Sequence, residues 1–163
     1  MSYSLEFKNL FIESCATIGG KKEYEGPIGQ YLDNYIKTSY NKQKSFEDAE
    51  ISMSKSAIEI ALMKAKLDTS KIKVAIGGDL SNQLAISSAV IKHFNVGFMG
   101  VYGACSSFIL SLINAGLIVS NNNKTYVIAF TQQVKDNFVF LLNMVSKRKI
   151  VLLPQLREQV PQY

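Results

Sequence analysis

Apolar positions change rhythm several times along the chain. Leu10–Ile18 reads as an opening strand that runs into Gly19-Gly20, and a polar, Gly- and Tyr-rich loop follows through Gly26-Pro27-Ile28-Gly29 to about Lys44. From Phe46 the period becomes helical: Phe46, Ala49, Met53, Ala57, Ile60, Ala61 and Met63–Ala65 keep to one face, which predicts an amphipathic helix over Phe46–Lys66. Ser45 is placed to cap it, with Asp48 at the third helical position and Glu47 and Glu50 near the positive end. Ile72–Ile76 reads as a short strand ended by Gly77-Gly78-Asp79, Leu84–Phe94 as a second helix and Gly97–Tyr102 as an apolar strand. Gly103-Ala104 then turns the chain into a third helix, Cys105–Val119; after the polar stop Asn121–Asn123, Thr125–Phe130 is another strand. Strands alternating with helices at this spacing predict βαβ units, hence an α/β fold with a mostly parallel sheet covered on both faces. Beyond Phe130 the rhythm fails. Val134–Val145 is apolar without a turn signal, Lys147–Tyr163 follows neither period, and the fifth strand or helix due here is not legible.

Composition narrows the classes. A chain of 163 residues, 47% apolar and 19% charged, suits one globular domain and is too apolar for a disordered segment. The net charge of +5 invites a polyanion partner, but its distribution argues against one. Residues 1–130 hold 13 Lys, no Arg and 11 Asp+Glu (13 − 11 = +2), whereas the last 33 hold 3 Lys, 2 Arg and 2 Asp+Glu (5 − 2 = +3). Both arginines, Arg148 and Arg157, and two of three prolines, Pro154 and Pro161, also fall in that tail. The lysines are scattered among acids without an aromatic–basic stripe, so no nucleic-acid partner is expected. Two cysteines without a CxxC or Cys/His cluster suggest neither a disulfide framework nor zinc, and point to a reducing cytosol. Met1–Lys8 carries charge where a secretory signal would be apolar, and Phe108–Val119 is shorter than the roughly 20 residues of a membrane span. A chain with no transmembrane segment of its own is the expectation.

Tyr102-Gly103-Ala104-Cys105-Ser106-Ser107 is the sharpest chemical feature. A strand feeds a tight turn that sets Cys105 at a helix start, where free N–H groups and the helix dipole favour a thiolate or a bound anion. Cys105 reads equally as a small residue packed at a tight helix start. Asp79 stands at the end of the preceding strand, where open α/β sheets bind ligands, and fits equally as the N-cap of a helix from about Leu80. Asn82 and Gln83 offer neutral donors or are simply solvated, and Cys15 reads as core. The single histidine, His93, falls near a helix C-terminus and suits dipole compensation better than catalysis. Gly19-Gly20-Lys21 lacks the phosphate-loop pattern.

Three blocks then resemble the stage V sporulation protein AD family, a thiolase-like group of spore-forming bacteria. They are Ala16-Thr17-Ile18-Gly19-Gly20-Lys21-Lys22-Glu23-Tyr24-Glu25-Gly26-Pro27-Ile28-Gly29, Gly78-Asp79-Leu80-Ser81-Asn82-Gln83, and the Tyr102–Ser107 turn, with order and spacing kept over roughly residues 5–130. The resemblance implies a layered αβαβα fold of two thiolase-like halves, of which residues 1–130 are most of the first. It also implies binding of dipicolinic acid, alone or with Ca²⁺, alongside the other SpoVA channel proteins, with no further cofactor or metal. The location implied is the forespore cytoplasm, peripheral to the inner spore membrane, and the full-length family allows a homodimer. Cys105 would stand at the thiolase nucleophile position, and Asp79, Asn82, Cys105 and Ser106 are the ligand-binding residues expected. Asp79 would need a proton, a cation or a donor between it and a carboxylate ligand.

The missing second half supplies the groups that activate the nucleophile in thiolase-type enzymes, so the chain is expected not to be an enzyme. A cysteine acyltransferase or condensing enzyme completed by a partner is the alternative. Residues 131–163 have a specific expectation. Reading codons of Lys135–Val145 from each third base permits the family-like Arg-Gln-Phe-Arg-Phe-Pro-(Leu/Phe)-Glu-Tyr-Gly, and Leu156–Tyr163 in the same frame permits Thr-Gly-Ala-Gly-Ala-Thr-Val. The tail from about Thr131 is thus expected to be out of frame, and the chain a fragment that does not function alone.

Overall fold

The computed structural model describes residues 4, 6–8, 10–38, 40–80, 84–121, 125–132 and 139–145. Asn82 with its neighbour Gln83, and the tail positions 133–138 and 146–163, lie outside the described residues.

Six strands form one sheet: β1 (Phe11–Gly19), β2 (Asn34–Tyr35), β3 (Ile72–Gly78), β4 (Gly97–Gly100), β5 (Tyr126–Gln132) and β6 (Val139–Val145). Their spatial order is β2-β1-β6-β5-β3-β4. β2 runs parallel to β1, and β4 and β5 run parallel to β3. β6 is antiparallel to both its neighbours, β1 and β5. The α/β architecture with a mostly parallel sheet is as the alternating pattern predicts.

The missing fifth element is β6, which corrects the reading that no element is legible after Phe130. It pairs from Phe11↔Val145 to Ile18↔Val139 on one side and from Val127↔Met144 to Gln132↔Val139 on the other. The physical reason is that β6 is defined by its pairing with β1 and β5, which are distant in sequence. A short, mostly apolar run without alternation cannot be told from a helix segment by periodicity alone.

Helix α2 (Phe46–Ala65) matches its sequence signal at both ends. The Ser45 hydroxyl accepts the Asp48 amide at 3.0 Å, and Lys66 closes the helix in the left-handed region. The helical face holding Ala49, Met53, Ala57, Ile58, Ala61 and Leu62 is buried. The stretch expected to be loop contains more structure than that: a short helix α1 (Lys21–Glu25), a 3₁₀ turn (Gly29–Tyr31) and β2. Asp33 explains why it is ordered. Its carboxylate accepts the Thr17 amide at 2.9 Å and pairs with Lys64, whose ammonium also donates to the Cys15 carbonyl. These are contacts across the fold, and no local period encodes them.

The sheet separates two cores. On one face, α2 and α3 (Ala85–Phe94) pack Ile58, Ala61, Leu62, Ile86, Val90 and Ile91 against Ala75, Ile128 and Phe130. On the other, α4 (Ser107–Asn121) packs Ala115 and Val119 against Ile76, Val127 and Ala129. Successive residues Val127–Thr131 of β5 are all buried, and Val127 to Phe130 face the two cores alternately, as a strand sandwiched by helices requires.

The third helix is longer than its expected apolar segment. With its 3₁₀ start it runs over Ala104–Asn121, 18 residues of mean hydropathy 1.5, long and apolar enough by those criteria to cross a membrane. Its inner face, Ser111, Ala115 and Val119, is buried on the sheet, while Ile109, Ile113 and Leu117 are exposed at i, i+4, i+8 spacing. The helix carries no charged residue, and this apolar face is open to solvent.

Candidate functional site

The turn that carries Cys105 is built from small residues and hydroxyls. Gly103 ends the extended segment, and Ala104 takes a positive φ of 44°, a left-handed conformation that costs a residue with a Cβ about 1 kcal/mol or more. Hydrogen bonds hold it there. The Gly103 carbonyl accepts from the Ser106 amide at 2.8 Å and from the Ser106 hydroxyl at 2.7 Å. The Gly103 amide donates to the hydroxyl of Ser107 at 3.3 Å. Cys105 is exposed, one turn ahead of the body of α4. The structure therefore presents the thiol outward, and the reading of Cys105 as a packed apolar residue does not hold. Ser106 is exposed too, but its proton is used inside the turn, leaving an oxygen lone pair for a ligand.

Asp79 follows the last residue of β3. Its carboxylate accepts the amides of Ile86 at 2.9 Å and Ser87 at 3.0 Å, and the hydroxyl of Ser87. It caps a helix, as one of its two sequence readings holds, but the helix begins at Ala85 rather than about Leu80. The loop between them makes the cap a remote one.

β3 and the Cys105 turn meet at the same end of the sheet. The Val101 amide donates to the Gly77 carbonyl at 2.9 Å. A Cβ on Gly78 would lie 2.2 Å from the Val101 carbonyl oxygen and 3.3 Å from the Ser107 hydroxyl. Thr131, next to the end of β5, donates to the Gly78 carbonyl at 3.4 Å. This is the C-terminal edge of parallel strands β3, β4 and β5, where α/β sheets place ligands. Asp79, Cys105 and Ser106 are thus carried by adjoining segments, while Asn82 lies outside the described residues. His93 is exposed in the last turn of α3, the position that favours a cation, and Cys15 is half-buried in β1. Among the described residues no three His, Cys, Asp or Glu side chains gather as a metal site. Ser87 and Ser107, both buried, carry no sequence signal beyond a small polar residue at an otherwise apolar helical position.

Comparison with known proteins gives this geometry a context. The priming β-ketosynthase of the R1128 polyketide pathway superposes with a TM-score of 0.63 at 13% identity, over 90% of this chain and 52% of that one. 3-Oxoacyl-[acyl-carrier-protein] synthase III from Aquifex aeolicus VF5 gives 0.58 at 15% identity, over 85% and 54%. OleA from Xanthomonas campestris gives 0.62 at 13%, over 86% and 58%. At such identities the likeness shows the fold alone: thiolase-like, with about half of each neighbour matched. Stage V sporulation protein AD of Bacillus subtilis (strain 168) is 31% identical over 122 residues, 75% of this chain and 36% of that protein. The chain spans about a third of that relative's length. The family model for stage V sporulation protein AD matches residues 2–138, which takes in all three sequence blocks, and the chain belongs to that family.

Proposed function

We propose that these residues form one wall of a dipicolinate site in the SpoVA system of the developing spore, acting by binding rather than catalysis. The observation that carries this reading is the convergence of the β3 exit and the Cys105 turn at the C-terminal edge of the sheet, in a chain of this family. Dipicolinate is a planar dicarboxylate. Amide groups at the start of α4 and the exposed end of the Cys105 turn suit one carboxylate, because a helix start carries unpaired N–H donors and a positive partial charge. Asp79 repels such a ligand unless Ca²⁺ stands between them, so a calcium-bound form is the one in which Asp79 would touch it. In this reading the opposite wall comes from family sequence outside this chain, the location is peripheral to the inner spore membrane, and the SpoVA channel proteins are the partners. An out-of-frame tail from about Thr131 would have to accommodate a family match that runs to residue 138 and the pairing of β6 in the sheet, and the nucleotide sequence around codons 128–165 decides it.

Calorimetric titration tests the site. The 163-residue chain should show no tight dipicolinate binding, with or without Ca²⁺. A frame-corrected version carried to the family's full length should bind clearly. Tight binding by the 163 residues alone contradicts the two-walled site, and silence from both contradicts the ligand.

The outward thiol favours a second reading, a cysteine acyltransferase completed by a partner. An acyl-CoA analogue that labels Cys105 in the full-length form would support it; an inert Cys105 would end it.

A further inference from the structure

We infer that Asp79 and Ser87 are a positioning pair, which holds the start of α3 so that Leu84 braces the strand feeding the Cys105 turn. The inference rests on the reading of that turn as the ligand site and assigns Asp79 a different part in it.

Helix α3 has no cap of its own. Leu84 precedes it in the left-handed region, φ 72°, and offers no side-chain acceptor to the amides of the first turn. Those amides need partners. Asp79 supplies them from seven and eight residues upstream, through Ile86 and Ser87. Ser87 is fully buried, and its hydroxyl donates to the same carboxylate. Both oxygens are occupied by donors of α3, and charge-assisted hydrogen bonds of this kind are the stronger ones. A carboxylate so engaged has little left with which to hold a ligand.

What the pair holds in place is visible at Gly100. A Cβ there would lie 2.1 Å from Cδ1 of Leu84, so the residue leading into α3 is pressed on the last residue of β4. Val101 follows directly, tied to Gly77, and the Cys105 turn begins two residues later. The path from Asp79 to the turn therefore runs through Ser87, Leu84 and Gly100.

The test uses the 163-residue chain in a Cys15→Ser background, with native-state amide exchange at Ile86 and Ser87 and iodoacetamide alkylation of Cys105 as its two readouts. Asp79→Ala should speed exchange at both amides on the order of tenfold, the usual consequence of losing a cap. Ser87→Ala should act in the same direction, and the double variant should exceed Asp79→Ala by less than about threefold, since the two residues form one unit. Asp79→Asn keeps one acceptor oxygen but turns an NH2 donor toward the remaining donors of α3 and removes the charge, so it should also speed exchange, by no more than Asp79→Ala does. Cys105 alkylation should change at least about twofold in both alanine variants, a readout that loss of stability elsewhere would not move. Should Asp79→Ala not fold, Ser87→Ala and Asp79→Asn carry the comparison. Asp79→Ala without faster exchange at Ile86 and Ser87, or Ser87→Ala without effect on either readout, overturns the pair. Absence of dipicolinate binding in the full-length form removes the ligand reading and leaves the exchange result standing.

Discussion

Phe130→Ala is expected to destabilise the fold by about 3–5 kcal/mol, the range for removing a fully buried phenylalanine. Phe130 is 1% exposed, the largest of the fully buried side chains among the described residues. Its ring lies over β3, where a Cβ on Gly77 would come within 2.5 Å of it, and it meets the Phe98 ring at 6.3 Å between centroids. It thereby ties β5 and β3 to the core under α2 and α3. The void left by truncation is bounded by strand backbone and by side chains already packed, so little collapse can refill it. Against a total stability of about 5–15 kcal/mol typical of single domains, the loss is a large fraction. Urea denaturation reads it as a lower midpoint with an unchanged slope. Tyr31→Ala, at a position 76% exposed, is the control and should stay within about 0.5 kcal/mol. A cost below about 1 kcal/mol at Phe130 would mean that this core is not packed as described.

The same core shows what was legible in the residue pattern. α2 could be read because its information is local: a serine cap, acids in the first turn and one apolar face. β3, α3 and β5 were legible to within a few residues for the same reason. β6 was not, since its run of apolar residues carries a length but no period, and only its two neighbours define it as a strand. The 20–44 segment was opaque for a different reason. Its order depends on Asp33, which reaches Thr17 in β1 and Lys64 in α2, and no sequence spacing announces a contact 31 residues away. The candidate site divides in the same manner. The Cys105 turn could be read from a strand, two small residues and a helix. The engagement of Asp79 depends on Ser87, a buried serine across a loop, and on a cap that reaches a helix starting six residues further on. Local chemistry names the residues; their partners decide what remains free for a ligand.

Gly78→Ala should damage both the fold and the thiol's setting. The backbone angles of Gly78 are not left-handed, so conformational freedom is not the issue. Space is. An added Cβ would sit 2.2 Å from the Val101 carbonyl oxygen, a backbone atom in a strand exit that cannot rotate aside. Overpacking of this kind costs about 1–3 kcal/mol when side chains can yield, and a backbone obstacle puts Gly78→Ala at or above the upper end. Gly97→Ala is the matched control. It sits in the neighbouring strand, with its nearest contact at 3.4 Å to the Lys73 carbonyl, and alanine there should be neutral or slightly stabilising because glycine weakens a strand interior. Thermal melting separates the two variants. Iodoacetamide then distinguishes a general loss from a local one: in folded Gly78→Ala protein, Val101 must move, and the Cys105 turn two residues beyond moves with it. The alkylation rate of Cys105 should therefore change several-fold relative to Gly97→Ala, following the thiol's exposure and its place at the helix start. If Gly78→Ala melts and reacts like Gly97→Ala, the Val101 carbonyl does not rest on Gly78. The β3 exit and the Cys105 turn would then not adjoin, and a shared site for Asp79 and Cys105 would lose its geometric basis.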